Sequence, residues 1–146
     1  LKITNKYPSQ VHYLESSEAI VTTIPQPTLN ELVSQRLRWA SKTSSYDNWF
    51  VKLIGITVFL MNLSVLFLFI IMLFKTEYTI PFIAIFSIKF FLDFIIIYKT
   101  LIFTKQSKNI LFYPFSTLFY PFFNVFIVLL TFIRKKYHWK DRYFNT

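Results

Sequence analysis

Three side chains in one short stretch have the types that bind a charged leaving group and a ring-shaped ligand. Gln35, Arg38 and Trp39 follow the order Gln-x-x-Arg-Trp, so on a helix they lie at i, i+3 and i+4 and share a face. A guanidinium offers planar, permanently charged donors to a diphosphate oxyanion. An indole is a platform on which a ring can stack, and an amide can hydrogen-bond a hydroxyl or a phosphate oxygen. The alternative is that Arg and Trp only anchor this helix at lipid head groups.

A second candidate lies inside a long apolar run, where Lys89 and Asp93 are spaced at i and i+4. A charge at the centre of a membrane helix costs about 2.5–3.5 kcal/mol on insertion scales, so such residues pair or line a water path. One hypothesis is a polar lining for a sugar chain or a contact to a lipid phosphate. The other, which we favour, is an internal ion pair that locks this helix against its neighbours.

Other kinds of site find little support in the sequence. His12 and His138 are far apart and have no companion ligands, so we predict no metal site from them. The chain has no cysteine, which excludes disulfides and thiolate sites. Gly55 is the only glycine, which excludes glycine-rich phosphate loops.

The composition indicates a membrane protein. Hydrophobic residues make up 54% of the chain, and the mean hydropathy is +0.45, which is too apolar for an ordinary soluble domain. The formal charge is +9, but the cations mostly flank the apolar runs, as do Lys52 and Lys75. This placement suits phosphate head groups and the rules that orient membrane spans. We therefore predict a lipid bilayer as partner and no nucleic acid.

The first segment, residues 1–27, has the pattern expected at the C-terminal end of an α/β domain. Residues 1–7 are predicted to finish a helix that Pro8 stops, and residues 11–14 and 19–24 are predicted strands. The chain begins at Leu1 inside the helical pattern. We interpret it as the C-terminal fragment of a longer protein.

The second segment, residues 28–50, is predicted to be an amphipathic helix. Thr28 is a good N-cap and Glu31 completes a capping box. One face carries an apolar stripe, formed by Leu29, Leu32, Val33, Leu37 and Ala40. Such a helix would lie in the membrane interface and turn the Gln-x-x-Arg-Trp side chains toward water. Arg36 falls inside the stripe, where snorkelling to a lipid phosphate would accommodate it.

The third segment, residues 51–133, is predicted to be the membrane region. Its charge-poor runs are long enough to cross a hydrocarbon core of about 30 Å. The predicted spans are about 53–74, 80–103 and 110–133, followed by a basic, aromatic tail at 134–146.

Topology leaves two alternatives. If residues 1–50 are cytoplasmic, three crossings place the basic tail outside, against the positive-inside tendency. Either the tail breaks that rule, or the third segment fails to cross because Pro114 and Pro121 interrupt a regular helix. We favour three crossings.

The predicted fold class is therefore mainly α and membrane-embedded: a remnant of an α/β catalytic domain, an amphipathic interface helix, then three transmembrane helices. A Gln-x-x-Arg-Trp helix directly before the spans resembles the closing motif of the membrane-bound inverting glycosyltransferases of family 2, which include cellulose, hyaluronan and chitin synthases. The resemblance covers residues 19–49 well, the spans loosely, and residues 1–18 only by position.

The resemblance implies a hexosyltransferase-type enzyme with a nucleotide-sugar donor and a polysaccharide or lipid-linked acceptor. It implies that Trp39 touches the acceptor end and that Arg38 and Gln35 help to hold the diphosphate. It also implies a multi-pass protein of the plasma (inner) membrane with residues 1–50 cytoplasmic. The family's ligands for a divalent cation, Mg or Mn, and its general base precede the motif and are missing here. We expect this fragment alone to be inactive and to hold no metal ligands.

Two rival interpretations remain. The chain could be a non-catalytic multi-span scaffold or transport subunit, in which the basic residues only set topology. It could also serve to flip a lipid-linked sugar, with Lys89 and Asp93 on the path. Acidic motifs in the preceding sequence would favour the enzyme over the scaffold.

Overall fold

The computed structural model describes residues 3, 6–44, 48–133, 136–139 and 142–145. These residues are mainly helical, as the sequence predicts. The α-helices whose bounds are described are α1 (Leu29–Ser44), α2 (Trp49–Phe74), α3 (Thr79–Phe103) and α4 (Tyr113–Ile133). A hairpin follows, made of β1 (Lys136–Trp139) and β2 (Arg142–Asn145). Short 3₁₀ helices lie between the longer elements, at Pro8–Gln10, Ser17–Ala19, Thr76–Tyr78 and Ser107–Phe112.

The three predicted spans are confirmed as helices long and apolar enough to cross a membrane. The segments are Trp49–Phe74, Thr76–Phe103 and Ser107–Ile133, with mean hydropathies of 2.7, 2.3 and 1.9. Many large apolar side chains on them point outward, as Phe67, Ile96 and Phe119 do. Exposure of such apolar surfaces to water is unfavourable in free energy, whereas contact with lipid is not. The chain is therefore built as a multi-pass membrane protein.

Helix α2 is the centre of this bundle, because it packs against both α3 and α4. At one level, Thr57 and Asn62 of α2 line the same cavity as Tyr113 of α4. Further along α2, the ring of Phe69 lies 5.9 Å from that of Phe122, which is farther along α4. Helix α4 therefore runs parallel to α2, in the direction that a third crossing requires.

The alternative in which two prolines interrupt the third segment does not agree with the structure, where one helix continues from Tyr113 to Ile133. Pro114 is the second residue of α4, in the first turn, where a helix leaves its N–H groups without intrahelical partners anyway. Pro121 lies within α4, yet the helix continues to Ile133. Pro121 is fully buried. Protein packed around it shields the turn where its missing N–H breaks the ladder.

The two strands predicted in the first segment are not formed. Residues 11–24 have irregular backbone around the 3₁₀ turn Ser17–Ala19, and Tyr13 and Ile24 are almost fully exposed. A strand needs a neighbour to accept its backbone hydrogen bonds, and within the described residues none pairs with this segment. The predicted helix at 1–7 lies partly outside the described residues. Where it is described, the Tyr7 N–H donates to the Ile3 carbonyl over 2.8 Å. An α/β remnant stays a prediction.

Helix α1 begins as predicted. The Thr28 hydroxyl oxygen accepts from the Glu31 N–H at 3.3 Å, which satisfies one of the donors at the helix start. The helix ends at Ser44, within the predicted segment 28–50. Residues 45–47 lie outside the described part of the chain, and Asn48 then starts α2 by accepting from the Phe50 N–H at 2.9 Å.

Helix α1 packs beside the bundle. It contacts α4 most extensively, and also β1 and the neighbouring α2. Leu37, in the predicted apolar stripe, is 1% exposed, whereas Leu29 at the start of the helix is largely exposed. Protein therefore covers the centre of the stripe. The placement of α1 at a membrane surface stays a prediction.

The tail contains a hairpin that the sequence did not predict. Strands β1 and β2 pair antiparallel, with Lys136 opposite Asn145 and Trp139 opposite Arg142. Since β1 contacts α1, the end of the chain and the helix before the spans lie side by side.

Candidate functional site

The Gln-x-x-Arg-Trp side chains all lie within α1. Gln35 and Arg38 are half-buried, and Trp39 is 48% exposed. The helix places them at i, i+3 and i+4, so the spacing that predicts a common face is realised. This face offers one cation, one amide and an indole that a ligand can reach.

Arg36 adds to this surface. Its guanidinium carbon lies 4.8 Å from the centroid of the Trp39 ring, and its side chain is exposed. The interpretation of Arg36 as a residue of the apolar stripe that snorkels to lipid overlooked this contact. The i, i+3 spacing is the signal that could have found it. A contact of this kind at an exposed site contributes about 0.5–1 kcal/mol.

The second predicted pair is in contact. The Lys89 Nζ donates to Asp93 Oδ2 within α3, and the side chains are 4% and 38% exposed respectively. Nζ also lies 5.5 Å from the ring centroid of Tyr120 on α4. The cation is therefore neutralised within its own helix and shared with a neighbouring one, which agrees with the internal ion pair that we favoured.

This pair borders a cavity of about 460 Å³ between α2, α3 and α4. All three helices contribute polar side chains to its wall: Asn62 from α2, Lys89 and Asp93 from α3, and Tyr113 and Tyr120 from α4. The remaining wall combines apolar side chains (Val58, Met61, Ile96 and Ile97) with the hydroxyl residues Thr57, Ser116 and Thr117. The spans therefore enclose a concave site with several polar groups.

Of the cavity residues, sequence reasoning identified only Lys89 and Asp93, and it missed every other polar one. Asn62 is 1% exposed and is the one amide of α2, a signal that was available in the otherwise apolar run. Tyr113 and Tyr120 belong to the two Tyr-Pro-Phe repeats. A spacing of seven residues is close to two helical turns, so both tyrosines face the cavity. Tyr113 also joins α4 to α3, because its hydroxyl donates to the Phe90 carbonyl over 2.6 Å.

The two candidate sites are separate. The side chains that line the cavity come from α2, α3 and α4, and Gln35, Arg38 and Trp39 are not among them. Within the described ranges, no group of three or more His, Cys, Asp or Glu side chains could hold a metal ion. His138 lies in β1, and His12 lies in the irregular segment before α1.

Comparison of the chain with protein-family models, with curated proteins and with solved structures found no match. The resemblance to family 2 glycosyltransferases therefore rests on the residues of the motif and on the order of the segments around it.

Proposed function

We propose that this chain is the C-terminal part of a membrane-embedded inverting glycosyltransferase. The parent enzyme transfers a sugar from a nucleotide-sugar donor to a polysaccharide or lipid-linked acceptor. One observation carries the proposal: Gln35, Arg38 and Trp39 share a face of α1, and the first membrane span begins five residues after that helix ends.

In the proposed reaction, an acceptor hydroxyl attacks the anomeric carbon of the donor sugar from the side opposite the leaving group. The bond from that carbon to the diphosphate oxygen breaks, and the nucleoside diphosphate leaves with the electron pair. Negative charge grows on the leaving oxygens. Arg38 offsets this charge with bidentate donors, and Gln35 donates from its amide. Trp39 supports the ring of the acceptor sugar by stacking.

The remaining catalytic groups are proposed to precede residue 1 in the parent. A carboxylate there takes the proton of the acceptor hydroxyl as general base. Acidic side chains there would hold Mg²⁺ or Mn²⁺, which would supply positive charge to the diphosphate when bound. The present chain contributes one wall of the site and the membrane anchor.

The same proposal places the protein in the plasma (inner) membrane with residues 1–50 on the cytoplasmic side. Nucleotide sugars are cytoplasmic, and a donor site on that side needs α1 there. The spans then hold the acceptor end of the site at the membrane.

Substitutions in the full-length enzyme test the proposal. Membranes carrying Arg38→Ala or Trp39→Ala are supplied with radiolabelled UDP- and GDP-sugars, and label in the polymer or lipid fraction is measured. We expect transfer to be abolished, since the loss of a single donor to a developing oxyanion costs about a hundredfold or more. Expression and membrane insertion should persist.

Matched controls lie just outside the motif. Trp49→Ala removes an indole at the start of α2 that is 70% exposed, and Lys52→Ala removes a cation one turn further on. Both should retain transfer. Near-normal activity of Arg38→Ala and Trp39→Ala would contradict the proposed glycosyltransferase function and favour a non-catalytic membrane subunit.

A further inference from the structure

We propose that the turn between α3 and α4 binds an anionic phospholipid of the phosphatidylglycerol type. The surface, the lysine turn, consists of Lys99, Lys105 and Lys108 together with the apolar side chains of Leu111 and Phe112. It shares no residue with the Gln-x-x-Arg-Trp face, and binding there does not depend on the transfer reaction.

The lysine turn has an ordered backbone. Its 3₁₀ helix, Ser107–Phe112, contacts both α3 and α4. The Thr104 N–H donates to the Thr100 carbonyl at 2.9 Å, and the Asn109 N–H donates to the Gln106 carbonyl at 3.0 Å. The side-chain amide of Asn109 also donates to Gln106 Oε1 at 3.4 Å. Because the backbone is already fixed, a ligand that binds here has less chain to order.

No carboxylate offsets the charge of the three lysines. Their side chains are exposed, and the sequence from residue 94 to residue 140 contains no aspartate or glutamate. Asp93, the last carboxylate before them, is paired with Lys89. Within the described residues, none of the three lysines forms an ion pair. The lysine turn therefore presents a cluster of positive charge that an anionic ligand can neutralise.

Apolar side chains beside the lysines identify the partner as a lipid. Leu111 is 76% exposed and Phe112 is 66% exposed. Residues three apart eclipse on a 3₁₀ helix, so Leu111 lies on the same face as Lys108. A soluble phosphate would leave this apolar surface in water, which is unfavourable, whereas the acyl chain of a phospholipid would cover it. The face thus fits a ligand with an anionic head group on a hydrocarbon chain.

The position of the turn brings the lysines to the level of the head groups. It joins two helices that are long and apolar enough to span a membrane, so it lies where the chain reverses at the bilayer surface. Phosphatidylcholine carries an ammonium group that neutralises its phosphate and is repelled by lysine. Phosphatidylglycerol carries the phosphate charge and two hydroxyls but no cation. Each lysine near an anionic lipid surface strengthens binding about fivefold.

The test compares two lipids that differ in the head group alone. The full-length protein is purified in a neutral detergent, and dioleoyl phosphatidylglycerol or dioleoyl phosphatidylcholine is added in equal amounts. Native mass spectrometry then measures how much of each lipid stays bound per protein. Phosphatidylglycerol should bind about tenfold or more tightly than phosphatidylcholine, because three lysines act on the same head group.

A double variant assigns this preference to the lysine turn. Lys99→Gln with Lys108→Gln removes two charges and leaves Lys105, so the preference should fall to about fivefold or less. Arginine at the same two positions keeps the charges and should keep the preference. Lys75→Gln is the matched control, because Lys75 is exposed but lies at the opposite end of α3. It should bind phosphatidylglycerol as the natural protein does.

Three results would overturn the proposal. Equal binding of the two lipids by the natural protein would do so whether or not the variants fold. An unchanged preference in the double variant would place the lipid elsewhere and leave these lysines the role of orienting the spans. Displacement of phosphatidylglycerol by excess glycerol 1-phosphate would mean a site for soluble phosphates. Arg38→Ala should bind phosphatidylglycerol normally, so a failure of this proposal and a failure of the proposed transfer function can be told apart.

Discussion

The guanidinium of Arg36 lies over the indole of Trp39, 4.8 Å from the ring centroid and one turn earlier on α1. Trp39 is half exposed, so contacts on its surface help to select the rotamer of its ring. The stacked guanidinium restricts this freedom from one side. Arg36 is thus a positioning residue for the indole that we propose supports the acceptor.

Removal of Arg36 should weaken transfer without abolishing it. Arg36→Ala is expected to lower kcat/KM for the acceptor by about twofold to fivefold, which corresponds to a contact of about 0.5–1 kcal/mol. Arg36→Lys should restore part of the loss, since an ammonium can occupy the same position. Lys52→Ala controls for the loss of a nearby cation. A complete loss in Arg36→Ala would instead give this residue a direct role at the diphosphate.

The ion pair of α3 should show an asymmetric response to single substitutions. Asp93→Leu leaves Lys89, which is 4% exposed, without its counter-ion, whereas Lys89→Leu leaves a carboxylate that is 38% exposed. We expect Asp93→Leu to cost about 3 kcal/mol of unfolding free energy and Lys89→Leu clearly less. The double variant should regain most of the loss. Unfolding in mixed micelles measures all three, and additive losses would contradict a coupled pair.

The end of α3 offers a stabilising substitution. Lys105 has φ 58°, in the left-handed region. The Gln106 N–H donates to the Leu101 carbonyl at 2.8 Å, and the Lys105 N–H donates to the Ile102 carbonyl at 3.0 Å. This is a Schellman cap with Lys at the position that favours glycine. Lys105→Gly should stabilise the protein by up to about 1 kcal/mol.

The control for this substitution is Lys108→Gly. Lys108 lies in the following 3₁₀ helix and has no positive φ, so glycine there only adds freedom to the unfolded chain. The midpoint of thermal unfolding in detergent should rise for Lys105→Gly and stay level or fall for Lys108→Gly. The same shift in both variants would show that the left-handed conformation carries no strain.

The direction of α4 predicts where the tail lies. Because α4 runs parallel to α2, fusions of alkaline phosphatase after Glu77 and after Thr146 should be active outside the cytoplasm, and a fusion after Lys105 should be inactive. Since β1 contacts α1, this arrangement requires α1 to extend along α4 toward the tail and not to lie flat at the cytoplasmic surface. A fluorescent reporter at the same three positions should give the inverse pattern. An inactive phosphatase at Thr146 would mean that the third segment turns back.

The sequence by itself determined which residues form the helices. Hydrophobic runs of more than 20 residues must be helical in a membrane, because only a helix satisfies all of its own backbone groups there. Thr28 and Glu31 determined the start of α1 by local capping, and the spacing of Gln35, Arg38 and Trp39 determined their common face. These are interactions within one turn, so they can be read from the order of residues.

Only the tertiary structure decided which of these faces meet. The predicted strands at 11–14 and 19–24 needed a partner from elsewhere, and the described chain does not supply one. Pro121 reads as a helix breaker until the burial around it is known. The cavity of Asn62, Lys89 and Tyr113 joins three helices whose contacts are separated by more than 20 residues in the chain. Such contacts depend on how side chains of different helices pack together, and the pattern along one helix does not contain that information.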